Sequence, residues 1–225
     1  MSTVFRSKKE VVYDRLREDI LQGKYKPGSR LVIDEVAASL GVSQIPIREA
    51  MRQLEADGLV TIEPYVGATV TDIDADFIYE VFALLQSLET ICSRAACGMM
   101  SAHELQELAD MIEEMDNSVD NPGLWSEQNQ AMHLFICQCA NMSLVLQMLQ
   151  KTFDHWDRLR LHYLKNVSGN RIRDAQADHK LLLEAFYERD ADKIEQYIRD
   201  HNQNALKSYI QYLESAGHLA PNKGG

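Results

Sequence analysis

The hydrophobic period of this chain changes once, near Asp57-Gly58, and that change constrains the first third of the fold. Before it, apolar residues recur at helical spacing. Val12, Leu16 and Ile20 form one stripe, and Ile47, Ala50, Met51 and Leu54 form another, within about 100° on a 3.6-residue wheel. After it, two strand-like runs, Leu59–Glu63 and Ala68–Ile73, flank Pro64-Tyr65-Val66-Gly67, a turn of hairpin length. The punctuation agrees. Gly23 stops a first helix, Pro27-Gly28 marks a turn, and Gly41-Val42 tightly joins a short helix over Asp34–Leu40 to a third helix. Ser43 suits the N-cap of that third helix, and Pro46 is tolerated in its first turn. Helix, helix, turn, helix and hairpin make a winged helix-turn-helix pattern.

From Asp74 onward the pattern is helical throughout. Helices are expected near Asp74–Gly98, Ser101–Ser118, Gly123–Ala140, Ser143–Lys165, Arg171–Glu188 and Asp190–Ser215. The breaks fall at Gly98, at Asn121-Pro122-Gly123, near Asn141 and at Val167-Ser168-Gly169-Asn170. The expected fold is therefore mostly α. A winged helix-turn-helix over residues 7–73 precedes an all-α six-helix bundle over residues 74–215, and residues 216–225 form a flexible tail.

Charge separates the two halves. The chain carries a net charge of −11, yet Met1–Asp72 holds 10 basic and 11 acidic residues, leaving 13 basic and 23 acidic for the rest. Only the first part is electrostatically fit to approach a polyanion. No apolar run approaches the ~18 residues of a membrane span, and Met1–Glu10 lacks the apolar core of a signal peptide. Cys92, Cys97, Cys137 and Cys139 form no CxxC pair and sit in helix-like stretches, which points to free buried thiols and a cytoplasmic location. Cys137 and Cys139, two residues apart, face different sides of a helix, so no disulfide is expected between them.

On the third helix Gln44, Arg48 and Arg52 form a polar stripe beside the apolar one. A helix fits the DNA major groove, where Gln pairs bidentately with adenine and Arg with guanine or phosphate. The hairpin tip at Tyr65-Val66-Gly67 brings backbone toward the adjacent groove. The alternative is a solvated polar face with no partner.

Phase also sorts the seven histidines. Asn129 and His133 are i, i+4 neighbours on or beside the apolar face of Trp125, Met132, Ile136 and Ala140. His179 lies among Leu182, Leu183 and Phe186, and His201 among Ile194, Tyr197 and Ile198. Three imidazoles and an amide oxygen aimed into one small bundle are costly unless satisfied, by core hydrogen bonds or by a divalent ion such as Zn, Ni, Fe or Mn. His155 and His162 share the opposite face of their helix, and His103 and His218 are given no role. Arg160 falls inside the stripe of Leu149, Phe153, Trp156 and Leu164, while Arg158 points away. Such an arginine either forms a structural ion pair or grips a carboxylate effector beside the ion.

The run Pro27-Gly28-Ser29-Arg30-Leu31, Leu40-Gly41-Val42-Ser43-Gln44-Ile45-Pro46-Ile47-Arg48-Glu49-Ala50 and Gly58-Leu59-Val60, within Ser7–Ile73, resembles the DNA-binding domain of GntR-type transcriptional regulators. The resemblance implicates Ser43, Gln44, Pro46, Arg48 and Gly67, with Arg30 and Asp34, in binding a DNA operator. It departs at Gln44, where the family commonly has Arg. Residues Asp74–Leu213 resemble the all-helical FCD ligand-binding domain of the FadR branch, in its shorter VanR-like form. The marks are Asn129…His133, Asp178-His179 and Asp200-His201. The family's Asp is Asn129 here, and a neutral amide ligates less well than a carboxylate, which implies a weakened or vacant metal site. Leu85 stands where an Arg often appears.

The combined reading is a homodimeric, non-enzymatic regulator, a repressor binding a palindromic double-stranded operator. A small organic acid would modulate its DNA affinity from the helical half. The rivals are a metal-dependent hydrolase or oxygenase using His133, His179 and His201 to activate water, and a metal-binding module. Against the first, no Glu or Asp is placed as a general base.

Overall fold

The computed structural model describes residues 7–63, 67–163 and 169–215. These fall into two compact units, the first comprising residues up to Ile73 with Asp157–His162, the second comprising Asp74–Trp156 and Tyr163 onward.

Unit 1 is built from α1 (Lys8–Leu21), β1 (Arg30–Leu31), α2 (Ile33–Leu40), α3 (Gln44–Ala56), β2 (Val60–Glu63) and β3 (Gly67–Val70). A capping box starts α1: Ser7 Oγ accepts the Glu10 amide, and the Glu10 carboxylate accepts the Ser7 amide at 2.8 Å. The apolar stripes of α1 and α3 meet in a core that includes Leu16, Ile47, Ala50, Leu54, Leu59 and Ala68. Ser43 stands at the N-cap of α3 without a side-chain cap bond. The three strands form an antiparallel sheet in the order β1-β3-β2, with Leu31 opposite Ala68 and Val60 opposite Val70. Strand β1 is an addition to the two-strand expectation. At two residues it is too short to leave a period in the sequence, and Gly28, which donates to the Val70 carbonyl at 2.9 Å, leads the chain into it.

Unit 2 contains α4 (Ala75–Met99), α5 (Ala102–Asp116), α6 (Pro122–Cys139), all but the last turns of α7 (Ser143–Tyr163), α8 (Gly169–Glu188) and α9 (Ala191–Ser215). Its punctuation is local chemistry. Asp74 caps α4, Ser101 and Glu104 form a capping box on α5, and Asn121 precedes Pro122 at the start of α6. Arg189, at φ 56°, turns back so that its guanidinium donates to the carbonyls of Cys97 and Met100 at the end of α4. The core includes Leu108, Met115, Met132, Phe153, Phe186 and Ile194. None of the helices among the described residues is long and apolar enough to cross a membrane.

One expectation needs correction. Cys97 and Cys139 are free and buried, but Cys92 and Cys137 are disulfide-linked, their Cα atoms 4.8 Å apart. The two lie 45 residues apart on α4 and α6, so the pairing is a product of helix packing and left no spacing signature in the sequence. The expected tail, residues 216–225, lies outside the described residues.

Gly41 ends α2 in the left-handed region, at φ 64°, with its amide bonded to Ala37, and sets the exit toward α3. An added Cβ would meet nothing within 4 Å, so only the backbone strain of a left-handed L-residue opposes substitution. Gly41→Ala is expected to destabilise unit 1 by about 1–2 kcal/mol in urea unfolding, and Gly41→Asn by less.

Candidate nucleic-acid interface and metal centre

On α3 the core stripe and the polar stripe separate cleanly. Ile47, Ala50, Met51 and Leu54 are buried, while Gln44, Arg48 and Arg52, one turn apart from each other, are exposed. Gln44 Nε2 donates to Asp34 Oδ1 on α2, and Gln44 Oε1 accepts Arg48 Nη2 at 3.3 Å. These contacts fix which end of the Gln44 amide donates and leave one N–H and one lone pair for a base edge. Ser43 and Asp34 are exposed beside this stripe. Arg30, exposed on β1, lies against Gly67 at φ 109°, where an added Cβ would come 3.5 Å from the guanidinium. Pro46 is buried beside Ile47, so it shapes the first turn and has no surface to offer a duplex. Tyr65 lies outside the described residues.

In unit 2 the three histidines from three helices converge. His133 of α6, His179 of α8 and His201 of α9 place candidate ligand nitrogens within 4.8 Å of one another, and their ring centroids are 4.8–5.5 Å apart. His133 and His179 are buried, and His201 is nearly so. Trp125 stacks on His179, and Phe153 lies 6.2 Å from His133.

Each imidazole Nδ1 faces an acceptor, although His201 Nδ1 and the Asp178 Oδ2 opposite it are buried without a hydrogen-bond partner among the described residues. Gln176 Nε2 donates to the Ile112 carbonyl at 2.7 Å, which makes its Oε1 an acceptor; that oxygen takes Trp125 Nε1–H at 3.2 Å and faces His179 Nδ1 at 3.5 Å. A proton on His179 Nδ1 satisfies the contact and leaves the lone pair on Nε2, which is buried without a hydrogen-bond partner among the described residues. His133 Nδ1 faces Glu89 Oε1 at 3.5 Å, and His201 Nδ1 faces Asp178 Oδ2 at 3.4 Å. Asn129, one turn before His133, is buried with Oδ1 unpartnered among the described residues.

Burial drives the electrostatics. It pushes His179 and His201 well below the ordinary imidazole value, helped in both cases by His133 and Arg171 and, for His179, by His201. Both therefore hold the neutral form that ligates metal. Burial also raises Glu89, against the opposing pull of His133 and the Asn202 amide. The unpartnered buried nitrogens of His179 (Nε2) and His201 (Nδ1), the carboxylates beside the cluster and a buried amide oxygen fit a divalent ion. Zn–N bonds of ~2.1 Å put tetrahedral ligand nitrogens about 3.4 Å apart, so the rings would draw inward slightly on binding.

Arg160 forms a structural ion pair, one of the two readings its place in the stripe allowed. It is half-buried, and its Nε and Nη2 donate to Asp157 at 3.1 and 2.9 Å. Arg158, expected to point away, is the buried one, donating to the Thr71 carbonyl at 2.6 Å. The stripe reading assumed one packing partner along α7, whereas Asp157–His162 belong to unit 1. The cation near the histidines is Arg171, which donates to the His201 carbonyl at 3.2 Å and lies 3.8 Å from Asp178. Glu89, Gln176 and Arg171 were not singled out from the sequence, whereas Asp178 was marked there beside His179. Glu89 carried a usable signal, because it falls in phase with Leu85, Leu88 and Cys92 on the buried face of α4.

Comparison with known proteins bears on both sites. The family model "Bacterial regulatory proteins, gntR family" matches residues 8–70, and the FCD domain model matches residues 80–204. The chain is 26% identical over 207 residues to the uncharacterized HTH-type transcriptional regulator YdhC of Bacillus subtilis, covering 90% of this chain and 91% of that one. It is also 26% identical over 202 residues to the HTH-type transcriptional repressor RspR of Escherichia coli, covering 89% of this chain and 88% of that one. Among solved structures, E. coli McbR/YncC superposes with a TM-score of 0.74 at 22% identity, over 92% of this chain and all of that one. These relatives are regulators, which sets the hydrolase and oxygenase reading aside.

Arg158→Ala removes a buried donor and strands the Thr71 carbonyl. A loss of about 1–3 kcal/mol in the unfolding free energy of unit 1 is expected, measured by denaturant titration.

Proposed function

Because the chain belongs to the gntR family of bacterial regulatory proteins and carries an FCD domain, a DNA-binding regulator with an effector domain, we propose that it is a homodimeric repressor. Its operator is palindromic, and its effector is a small carboxylate bound in unit 2 against a divalent ion held by His133, His179, His201 and Asn129. The observation that carries the effector half of this reading is the set of three convergent imidazoles, their outer Nδ1 atoms facing acceptors and the His179 Nε2 lone pair unmet. The ion supplies a positive charge able to take a carboxylate oxygen as a further ligand.

This chain's own residues do the rest. Gln176 and Glu89 hold His179 and His133 in the metal-binding tautomer, and Trp125 and Phe153 wall the cluster. Arg171, not Arg160, is the guanidinium placed to meet a carboxylate beside the ion. On the DNA side, Gln44, Arg48 and Arg52 read the major groove, with Ser43, Asp34, Arg30 and Gly67 around them. Self-association is supported by exposed apolar side chains one or two turns apart, Leu84 and Ile91 on α4 and Leu144 and Met148 on α7. The effector shifts operator affinity only by its different affinities for the DNA-competent and incompetent states.

Two measurements test the proposal. Operator binding followed by fluorescence anisotropy should weaken steeply with salt, and Arg48→Ala should cost about 1–3 kcal/mol if it contacts a base. Unchanged affinity in that variant would remove Arg48 from the reading face. Elemental analysis of protein purified without added metal or chelator should find about one divalent ion per chain, absent in His133→Ala. No ion in the wild-type chain, even after reconstitution with zinc, would reject the metal half of the reading.

A further inference from the structure

We propose that Glu89 supplies, through His133, the negative charge that Asn129 does not bring to the ion, and that Asn202 holds it in place. The inference rests on the proposed metal site and adds to it a positioning residue outside the ligand set. Three imidazoles and one amide make a ligand set with no net charge, so a divalent ion bound there keeps both of its charges inside a buried site. The compensation has to come from the next ring of residues.

Two carboxylates stand in that ring, and they are not equivalent. Asp178 faces His201 at 3.4 Å, but Arg171 lies 3.8 Å from the same oxygen and offsets its charge. Glu89 has no such neighbour among the described residues. Its contacts are His133 Nδ1 at 3.5 Å from Oε1 and Asn202 Nδ2 at 2.7 Å from Oε2. Asn202 in turn donates to the Ile198 carbonyl at 3.1 Å, which fixes which end of its amide faces the carboxylate. Glu89 is 4% exposed. A carboxylate so deeply buried, facing an imidazole and an amide but no Lys or Arg among the described residues, is costly in the metal-free chain and becomes favourable once a cation binds the far nitrogen of His133. Glu89 sits on the Nδ1 side of that ring, so it polarises and orients the ligand rather than replacing it.

The test measures zinc affinity of the full chain by competition with a chromophoric chelator. Glu89→Gln keeps the size and an acceptor oxygen but removes the charge. It is expected to bind zinc about 10–100-fold more weakly than wild type, with no fall in the melting temperature of the metal-free protein. Adding Asn129→Asp to Glu89→Gln moves a carboxylate from the outer ring to the ion and should restore affinity toward wild type. A purely structural role for Glu89 predicts a lowered metal-free melting temperature and no rescue, and either result overturns the proposal, as does a Glu89→Gln variant that binds like wild type. If the variant does not fold, long-range proton–nitrogen spectra of the zinc-loaded wild type decide: His133 ligated through Nε2 with Nδ1 protonated supports the assignment, and ligation through Nδ1 overturns it. A wild-type chain that binds no zinc defeats the metal site and this inference together, whereas wild-type binding with unaffected Glu89→Gln defeats the inference alone.

Discussion

An imidazole buried among apolar side chains can satisfy one nitrogen with a neighbour, but the second needs another donor, acceptor or ion. Unit 2 directs three such rings to one point. The surrounding architecture follows from supporting them: α8 supplies Gln176, Asp178 and His179 within one turn, α9 supplies His201 and Asn202 side by side, and α4 and α6 supply Glu89 and His133. The Gln176 oxygen shows how tightly this is specified. One acceptor atom takes the Trp125 indole and faces His179, while the same amide's nitrogen is used on the Ile112 carbonyl. Rotating the Gln176 amide would set its NH2 against the Trp125 N–H and its oxygen against the Ile112 carbonyl, so the tautomer of His179 is set by a network that reaches α5 and α6.

Unit 1 solves a different problem, presenting polar side chains while keeping a small core. The α3 helix does both by dividing its circumference, with Ile47, Ala50, Met51 and Leu54 inward and Gln44, Arg48 and Arg52 outward. Its first turn is further held by the Asp34–Gln44–Arg48 chain of hydrogen bonds. Those bonds restrict side chains that would otherwise lose rotamer freedom on docking to a partner, which would lower the entropic cost of recognition.

What the sequence made legible was whatever depends on period and punctuation. Where the sequence marked helix ends, at Gly23, Gly41, Ser43, Ser101 and Asn121-Pro122, the described helices begin or end within two or three residues, because caps and breakers act locally. The histidine convergence was legible for the same reason, since each ring's phase on its own helix points inward. Interactions between distant segments were not. The pairing of Cys92 with Cys137 and of β1 with β3 depends on which surfaces meet. Arg158, expected to point away, is buried on the Thr71 carbonyl, and Arg160 forms with Asp157 the structural ion pair that was one of its two readings, because Asp157–His162 of α7 belong to unit 1. Glu89 carried its signal in its phase with Leu85 and Cys92, but its role depends on partners on other helices, His133 and Asn202, that no local pattern reveals.

The distribution of the cluster over separate helices also bears on how an ion would act on the bundle. A site formed from one helix would bind with little effect on packing, because its ligands are already fixed relative to one another. Here α6, α8 and α9 each contribute a ring, and α4 reaches the site through Glu89, so ligation joins four helices that otherwise meet through side-chain packing and isolated polar contacts. Any free energy of binding is then also free energy against separating those helices, in proportion to the logarithm of ion concentration over its dissociation constant. With Asn129 as a ligand, that term would be smaller than with a carboxylate in its place. A weakly held ion would add little stability of its own, so the packing of the bundle would respond more to whatever anion completed the coordination sphere.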